Sequence, residues 1–455
     1  MSIITPRQTE ERFHSTRRDF IRAAAGLSLL GVPAAEAWAR ARRAEPLKVG
    51  LIGCGGRGTG AALQAIKADP GSVLWSMGDV WPERIEGCLG YLRSAIAELE
   101  EDGAEPSVSG GAVAWREKIN VDDARKFTGF DAWRRVIGSG VDVVLLCTPP
   151  NFRAEHLRGA VDAGKHVFCE KPVAVDAPGV RSVLDSARIA REKRLSLMSG
   201  FCWRYSTRER EIYEQIHAGR IGEIRHVYTN YNTTGWIEPQ ARRPEWSDTE
   251  FMLRNWQYFV PLSGDHIVEQ AVHAIDKLRW ATNDRTPLRC IAVGGREVRP
   301  ELAETGNCWD HFAIVWDYED GLRATHMCRH WPNSASDNAD YIAGSEGYAI
   351  VNGWTGTHVI EGARPWKGTA RGNDMYQQEH DELFASIRAG APINDGERMS
   401  NSTLQAIMGR MAAYTGQVVT WEQAMSSSED LNPQAWAWGT RALPTVARPG
   451  STRLI

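Results

Sequence analysis

The sequence predicts an α/β protein that begins with a doubly wound parallel sheet and continues into a second α/β domain. Its 455 residues are too many for one ordinary hydrophobic core, so two domains are expected. A glycine-rich loop follows the first apolar strand, Val49 to Ile52. Beyond this loop, apolar strands alternate with helical patterns, which is the order typical of a parallel sheet with helices on both faces.

The overall composition is that of a globular protein that does not bind nucleic acids. Charged residues make up 24% and hydrophobic residues 42% of the chain, both near globular averages. A net charge of −4 argues against a nucleic-acid surface. The 18 Trp residues are an unusual number. We expect them in the core and in interfaces, or stacked on the C–H faces of sugar rings.

The first residues resemble an export signal. Adjacent arginines, Arg17 and Arg18, precede a short apolar run from Ala23 to Val32, which is too short to span a bilayer. Small-x-small cleavage candidates follow at residues 35–39. The pattern is similar to a twin-arginine signal peptide over residues 1–39, with an uncleaved basic leader as the alternative. Because this route exports folded proteins, it predicts a periplasmic or otherwise exported protein that takes up its cofactor before export.

The glycine-rich loop has the arrangement of a dinucleotide-binding turn. The stretch GCGGRG, Gly53–Gly58, is G-x-G-x-x-G between a strand and a helix, the context that this motif requires. Gly53 permits the tight turn, Gly55 lets the backbone approach a pyrophosphate, and Gly58 lets helix and strand pack closely. We expect Gly56, Arg57 and the helix N-terminus to face the phosphates.

The end of the next strand determines the predicted cofactor. The strand SVLWSMGDV carries Asp79 about 20 residues after Gly58, where a carboxylate binds the ribose 2′-hydroxyl of NAD. NAD is therefore favoured over NADP, although Arg84 is near enough in sequence to favour a 2′-phosphate. The alternative role of Asp79 is to cap a turn or a helix.

Further polar residues are predicted at the same edge of the sheet. The apolar strands VDVVLLC and HVFC are followed by Thr148-Pro149 and by Glu170-Lys171-Pro172. A last strand, RLSLMSGFCWRY, is predicted to bring Trp203, Arg204 and Tyr205 to the same edge. Parallel sheets of this kind bind ligands outside the carboxyl ends of their strands. We therefore expect this edge to bind both the cofactor and the substrate.

These motifs resemble those of the Gfo/Idh/MocA oxidoreductases. Besides the glycine-rich loop, the resemblance rests on CTPP at residues 147–150, EKP at residues 170–172 and AGRIGEI at residues 218–224. It runs from about Leu47 to the helix near residues 385–415. EKP at the end of a strand is its most specific element.

The resemblance implies a domain organisation and a substrate class. Members of this family pair a Rossmann domain with a C-terminal α/β domain, whose large and mostly antiparallel sheet is often used for oligomerisation. They act mainly on sugars, polyols and related compounds. The implied boundaries are 45–205 for the Rossmann domain, 206–420 for the second domain and 421–455 for a tail. A homo-oligomer that acts on a carbohydrate or polyol is therefore expected.

The resemblance also implies the catalytic residues. The segment from Ser263 to Trp280 reads as one amphipathic helix, and the family carries there an acid followed four residues later by a histidine. The matching positions are Glu269 and His273, with Asp276 after them. His273 is implied to accept the hydroxyl proton, and Lys171 to hold the same oxygen. Glu269 is implied to orient the imidazole or to bind a sugar hydroxyl; a purely structural histidine is the alternative.

A metal site is another interpretation of the same helix face. His266, Glu269 and His273 could supply three ligands, but the histidines are two helical turns apart, whereas HExxH sites place them one turn apart. We therefore predict no metal and expect His266 to cap the helix or to contact the substrate. Residues 231–262, rich in Trp, Arg and Asn and poor in strand periodicity, are predicted to form a loop that binds a carbohydrate or an arm that packs on a neighbouring subunit.

The sequence and the family resemblance together predict cofactor-binding, catalytic and substrate-binding residues. The cofactor-binding residues are Gly53, Gly55, Gly56, Arg57, Gly58, Asp79, Thr148, Pro149, Arg153 (where many family members have His), Glu170 and Lys171. The catalytic residues are Lys171, His273, Glu269 and Asp276. The substrate-binding residues are Arg204, Tyr205, Trp236 and His266.

The predicted function is that of an exported, NAD-dependent carbohydrate oxidoreductase. Outside the cytoplasm there is no free nicotinamide pool, so we expect the cofactor to stay bound and the net cycle to be redox-neutral. Either one sugar is oxidised and a second reduced, or transient oxidation permits cleavage or epimerisation before the ketone is reduced again. The latter scheme describes a redox-assisted glycoside hydrolase or lyase. A non-catalytic nucleotide-binding protein is a third hypothesis, and Lys171, His273 and Asp276 together argue against it.

Overall fold

The computed structural model of the chain contains two sheets and the helices that pack on them. The residues it describes are 45–103, 113–235, 238–299, 306–432 and 434–455. The predicted signal peptide and the predicted substrate residue Trp236 lie outside these ranges. Residues from Pro46 to Ile455 form one compact unit. No helix among the described residues is long and apolar enough to cross a membrane.

The first sheet has six parallel strands in the order β3-β2-β1-β4-β5-β6. Its strands are β1 (Leu47–Ile52), β2 (Ser72–Asp79), β3 (Lys126–Thr128), β4 (Val143–Leu146), β5 (His166–Cys169) and β6 (Leu197–Ser199). This is the doubly wound order of a dinucleotide-binding domain. The predicted parallel sheet is confirmed, and its switch point lies between β1 and β4.

Helices cover both faces of this sheet because alternate residues of its strands point to opposite sides. Val143 and Leu145 pack into one core, whereas Val144 and Leu146 pack into the other. The helices of this half are α1 (Gly56–Ala68), α2 (Pro82–Glu101), α3 (Ala132–Gly138), α4 (Pro150–Asp162) and α5 (Ala177–Glu192). Strands that are apolar on both faces are the signal that indicated this arrangement in the sequence.

The second sheet has nine strands in the order β14-β13-β12-β11-β7-β10-β9-β8-β15. All its pairs are antiparallel except β7 with β10. Its strands are β7 (Ile224–Thr233), β8 (Arg289–Gly295), β9 (His311–Asp317), β10 (Arg323–His330), β11 (Asp340–Gly344), β12 (Gly347–Asn352), β13 (Thr357–Gly362), β14 (Trp366–Lys367) and β15 (Val419–Thr420). The large, mostly antiparallel sheet implied by the family resemblance is confirmed.

One face of the second sheet is covered by helices and the other is open. The helices of this half are α6 (Thr207–His217), α7 (Asp248–Arg254), α8 (Val260–Ser263), α9 (His266–Glu269), α10 (Val272–Ala281), α11 (Met375–Ala389), α12 (Gly396–Thr415) and α13 (Trp421–Ser426). Ile314 and Trp316 pack inward, in one core with Ile275 of α10. On the opposite face Ile291 and Val293 are exposed.

Helix α11 connects the two halves, although it lies far along the chain from the first sheet. Arg388 donates to Asp69 at the end of α1, and the Gln377 side chain donates to the Gln64 carbonyl oxygen at 3.0 Å. Leu383 and Phe384 join the core on the α1 side of the first sheet. The Rossmann half is therefore completed by a helix from the far end of the chain.

The predicted single helix from Ser263 to Trp280 is wrong. The chain instead forms α8, α9 and α10 in succession. Gly264 and Asp265 have φ values of 79° and 74°, which end α8 because an α-helix cannot continue through the left-handed region. A second irregularity at Gln270, where φ is −112° and ψ is −54°, separates α9 from α10. His266 and Glu269 therefore do not share one regular helix face with His273 and Asp276.

Two further sequence predictions, for residues up to 205 and for residues 231–262, differ from the structure. The last strand of the first sheet ends at Ser199, and residues Cys202–Tyr205 form a 3₁₀ turn rather than its continuation. The segment 231–262 contains the end of β7 and the helices α7 and α8, so it is not one long loop. Both differences redirect side chains that the sequence placed at the sheet edge.

Candidate active site

A cleft of about 610 Å³ runs along the carboxyl ends of the first sheet and reaches the start of α10. This volume is typical of ligand pockets. Most of the predicted site residues line it, namely Gly53, Gly55, Gly56, Arg57, Gly58, Asp79, Thr148, Pro149, Arg153, Glu170, Lys171, Glu269 and His273. The strand ends identified in the sequence and the acid–histidine pair of the second half therefore face a common space.

The glycines of the loop are required by different features of the backbone. Gly53 has a φ of 94°, and a side chain on Gly58 would come within 1.9 Å of the Gly53 carbonyl oxygen. A side chain on Gly55 would meet only the Arg84 guanidinium, at 3.4 Å, on the cleft side. Gly53 and Gly58 thus serve the turn itself, whereas Gly55 leaves room in the cleft. With the N-terminus of α1 beginning at Gly56, these residues fit a dinucleotide pyrophosphate.

Asp79 holds the glycine-rich turn and faces the cleft at the same time. Its carboxylate accepts from the backbone N–H of Cys54 at 2.7 Å and of Trp81 at 3.0 Å. Burial raises the pKa of Asp79, and the two hydrogen bonds and the charge of Arg84 oppose that rise. Because a carboxylate can accept about four hydrogen bonds, it retains acceptor positions for ribose hydroxyls. The cap and the ribose ligand are compatible roles for this residue.

Arg57 is tied down at the floor of the cleft. Its guanidinium donates to Glu170, to Glu379 at 2.9 Å and to Gln64 at 2.8 Å. The two carboxylates raise the pKa of Arg57 against the effect of burial, while burial raises the pKa of Glu379. Glu170 of the EKP motif therefore fixes the arginine of the glycine-rich loop, which connects the two motifs physically.

Lys171, Glu269 and His273 meet at the far end of the cleft. The Lys171 ammonium donates to the carbonyl oxygen of Glu269 at 2.6 Å and lies 3.4 Å from its carboxylate. Glu269 Oε2 and His273 Nδ1 are buried and have no hydrogen-bond partner among the described residues. Buried polar atoms are usually paired, so unpaired ones beside a cleft indicate a polar ligand.

The environment of His273 keeps its imidazole neutral. Burial lowers the pKa of His273 well below its ordinary value, and the positive charges of Lys171 and Lys277 lower it further. A neutral imidazole can accept a proton, whereas an imidazolium cannot. This residue therefore has the protonation state that a general base needs.

Gln270 lines the cleft but was not predicted as a site residue. Its side-chain oxygen accepts from His330 Nε2 at 2.6 Å, and Arg299 lies 3.5 Å from His330 Nδ1. Burial lowers the pKa of His330, so a neutral ring with its proton on Nε2 satisfies both contacts. With its oxygen occupied, Gln270 has its amide N–H groups left for a ligand. A continuous helix would turn Gln270 away from Glu269, so only the interrupted helix reveals it.

Asp276 and Arg204, predicted as a catalytic and a substrate-binding residue, lie outside the cleft. Asp276 is 1% exposed and pairs with Arg204 at 2.8 Å, and it also accepts from the Ser402 hydroxyl at 2.8 Å. Arg204 makes a second ion pair with Asp284. Neither side chain lines the cleft. Together they form a buried network between α10, α12 and the 3₁₀ turn, because each charge needs a partner once it leaves water.

Tyr205 and His266, predicted to bind substrate, also lie outside the cleft. The Tyr205 hydroxyl donates to Asp395 at 2.8 Å, so the residue joins the 3₁₀ turn to the N-terminus of α12. His266 is fully buried, with its ring 4.4 Å from that of His330. His266 therefore does not reach the cleft itself. It packs against His330, which in turn donates to Gln270 in the cleft wall. Within the described parts of the chain, no group of three or more His, Cys, Asp or Glu side chains is placed to hold a metal ion.

Comparison with known protein families agrees with this geometry. Residues 47–201 match the family model described as "Oxidoreductase family, NAD-binding Rossmann fold", and residues 210–350 match the GFO/IDH/MocA C-terminal domain. The chain belongs to the Gfo/Idh/MocA family. Within this Gfo/Idh/MocA protein the first match covers the whole glycine-rich loop and the EKP motif, and the NAD-binding Rossmann domain is thereby identified.

Individual relatives of this Gfo/Idh/MocA protein support the same assignment. Inositol 2-dehydrogenase 3 of Saccharopolyspora erythraea is 30% identical over 234 residues, which are 50% of this chain and 56% of that protein. The chain thus aligns with little more than half of that relative. Two solved structures share the fold with TM-scores of 0.60. Aldose-aldose oxidoreductase from Caulobacter crescentus, complexed with glycerol, is 18% identical over 83% of this chain and 100% of that chain. Levoglucosan dehydrogenase, in complex with NADH and levoglucosan, is 19% identical over 83% and 99%.

Proposed function

We propose that this protein is an exported oxidoreductase that acts on a secondary alcohol of a sugar or polyol with tightly bound NAD, in a redox-neutral cycle. The observation that carries the proposal is the meeting of Lys171, Glu269 and His273 at one end of a cleft whose other end is the glycine-rich loop. A dinucleotide that lies along this cleft brings its reactive ring toward these three side chains.

Each of the three side chains has a definable task. Bound NAD supplies the acceptor for the hydride that leaves the carbinol carbon. The neutral imidazole of His273 accepts the hydroxyl proton, so that the alcohol becomes a carbonyl. Lys171 stabilises the negative charge that develops on the same oxygen. Glu269, which contacts Lys171, has a free buried oxygen to accept from a neighbouring substrate hydroxyl.

The remaining wall of the cleft favours a polyhydroxylated substrate. Gln240, Gln257, Gln270 and Glu238 line it together with Trp256. Amides and carboxylates bind several hydroxyl groups, and an aromatic ring can stack on the C–H face of a sugar. The similar proteins named for inositol, aldose and levoglucosan oxidation agree with this class of substrate.

The proposed function can be tested with protein purified from the periplasm. We expect stoichiometric NAD in the purified protein, and an NADH absorbance band that one class of sugar or polyol produces and a second sugar removes. Product analysis with single sugars and with pairs then separates the mechanisms. A cleaved or epimerised product without net oxidation would favour the redox-assisted glycosidase, and absence of bound nucleotide would contradict the proposal.

Export by the twin-arginine route is part of the proposal and is tested separately. Replacing Arg17 and Arg18 by lysine removes the receptor-read pair while it keeps the charge. We expect the double variant to accumulate in the cytoplasm as a folded, NAD-containing precursor. Cell fractionation followed by immunoblotting measures this distribution. Export at the wild-type level would reject the twin-arginine signal.

Oligomerisation through the second sheet is also proposed. On its open face Ile291, Val293, Met327 and Tyr341 are exposed, and such an apolar surface is typical of a subunit interface. Replacing Val293 by glutamate is expected to reduce the mass measured by analytical ultracentrifugation. An unchanged mass, or a monomeric wild type, would exclude this interface.

A further inference from the structure

Aromatic side chains line the half of the cleft that receives the adenosine end of a dinucleotide. Asp79 at the end of β2 marks this half, because the adenosine ribose binds there. Trp81 follows it directly, and Phe130 and Phe152 lie along the same wall. These side chains all belong to the Rossmann half of the chain.

The C-terminal tail packs on these aromatic side chains from outside the cleft. The ring of Trp438 lies 4.9 Å from that of Trp81 and 4.9 Å from that of Phe130, and the ring of Trp436 lies 5.8 Å from that of Phe152. Such separations are those of favourable aromatic pairs. Trp438 remains 46% exposed. A large aromatic side chain that is half in water contributes little to the core, so its contacts with the cleft wall are its main interaction.

Hydrogen bonds fasten the tail to the second half of the protein. The Thr249 N–H donates to the Gly439 carbonyl oxygen at 3.2 Å, and the Arg441 N–H donates to the Asp248 carboxylate at 3.0 Å. The Asn432 side chain donates to the Pro261 carbonyl oxygen at 2.8 Å. The tail is thus held by α7 and α8, and it bridges from them to the rim of the Rossmann cleft.

Helix α7 makes a second bridge to the same rim. Arg254, its last residue, lies with its guanidinium 4.1 Å from the centre of the Trp81 ring and 3.5 Å from Glu83. Arg254 also lines the cleft. Trp81 is therefore contacted by both Arg254 and Trp438, and these two residues come from segments that are bonded to each other.

We propose that residues 434–443 and α7, together called the clasp, brace the aromatic wall of the adenosine half of the cleft from outside and so hold the dinucleotide as a resident cofactor. Release is slow because Trp81 and Phe130 cannot move aside without losing their contacts with Trp438. The inference rests on the bound NAD of the proposed function but not on its substrate. It gives the redox-neutral cycle a structural cause, since a cofactor that cannot exchange must be reoxidised where it was reduced.

The test is the rate of NADH release from the full-length protein in the absence of sugar. Protein loaded with NADH is mixed with excess NAD, and the loss of bound-NADH fluorescence is followed. We expect Trp438→Ala to release NADH about tenfold faster or more, because two aromatic contacts are removed. Trp438→Phe, which preserves an aromatic ring, is expected to stay near the wild-type rate.

A matched control separates the clasp from a general loss of stability. Trp354 is 60% exposed and contacts Trp203 away from the cleft, so Trp354→Ala is expected to leave NADH release unchanged. If Trp438→Ala does not fold, as judged by circular dichroism, Arg254→Gln opens the same contact from the other side and is expected to accelerate release. Wild-type release from the folded variants would overturn the clasp, as would equal acceleration by Trp354→Ala. Because no sugar is present, a wrong substrate class does not affect this result.

Discussion

Replacing His273 by alanine is expected to lower kcat for sugar oxidation by about 10² to 10⁴, because the general base that takes the hydroxyl proton is lost. The residual activity of the variant is expected to rise with pH, as hydroxide replaces the imidazole. NAD content should be unchanged, since His273 lies at the substrate end of the cleft. Pre-steady-state reduction of the bound NAD, followed by absorbance across a pH series, measures both effects.

The pKa of His273 is expected to set the acidic limb of the wild-type pH profile of kcat/KM. Burial, Lys171 and Lys277 lower the pKa of His273, so the imidazole stays neutral and active until the pH falls below that lowered value. The acidic limb of kcat/KM is therefore expected below the ordinary range of histidine. His217→Ala is a matched control, because His217 is exposed and contacts the Trp280 carbonyl oxygen outside the cleft. A His273→Ala variant with near-wild-type kcat would show that His273 is not the general base and has only a structural role.

Replacing Lys171 by methionine is expected to lower kcat by about 10² to 10³, the range for loss of a preorganised donor to a developing oxyanion. Methionine retains much of the apolar stem, so the packing of the EKP turn is preserved. The variant is expected to retain NAD, because Gly53–Gly58 and Asp79 remain intact. Single-turnover reduction of bound NAD is again the measurement.

The Lys171 variant also has a signature that distinguishes it from the His273 variant. The charge of Lys171 is one of the causes that lower the pKa of His273. Its removal is therefore expected to raise that pKa and to move the acidic limb of kcat/KM to higher pH, whereas the His273 variant loses this limb. An unmoved limb together with a rate within a few-fold of wild type would show that Lys171 is not at the reacting oxygen.

Local patterns in the sequence were sufficient for the Rossmann half of the site. Gly53, Gly58 and Asp79 act through backbone geometry and contacts at the end of a strand, and these depend on short stretches of sequence. The carboxyl ends of parallel strands necessarily meet at one edge of a sheet, which brings Thr148 and Lys171 to the same cleft. Resemblance to the family then identified Glu269 and His273 by their spacing.

The sequence misled where a prediction depended on helical spacing alone. His273 and Asp276 both lie in α10, one turn apart as the spacing predicts, but only His273 lines the cleft. Arg204 then reaches Asp276 from a distant turn, and the two charges neutralise each other in the interior. Polar residues at helical spacing therefore did not reveal whether they serve a cleft or a buried ion pair.

What the sequence by itself determined is the class of fold and the dinucleotide-binding turn, because these depend on local backbone preferences and on strand order. The acid–histidine pair was identified through the family resemblance. Only the tertiary structure decided that Gln270 faces the cleft, since its direction depends on the interrupted helix and on His330. The same holds for Trp438, which reaches Trp81 from the far end of the chain. Contacts between residues so distant along the chain arise from the packing of the whole chain, and no local pattern encodes them.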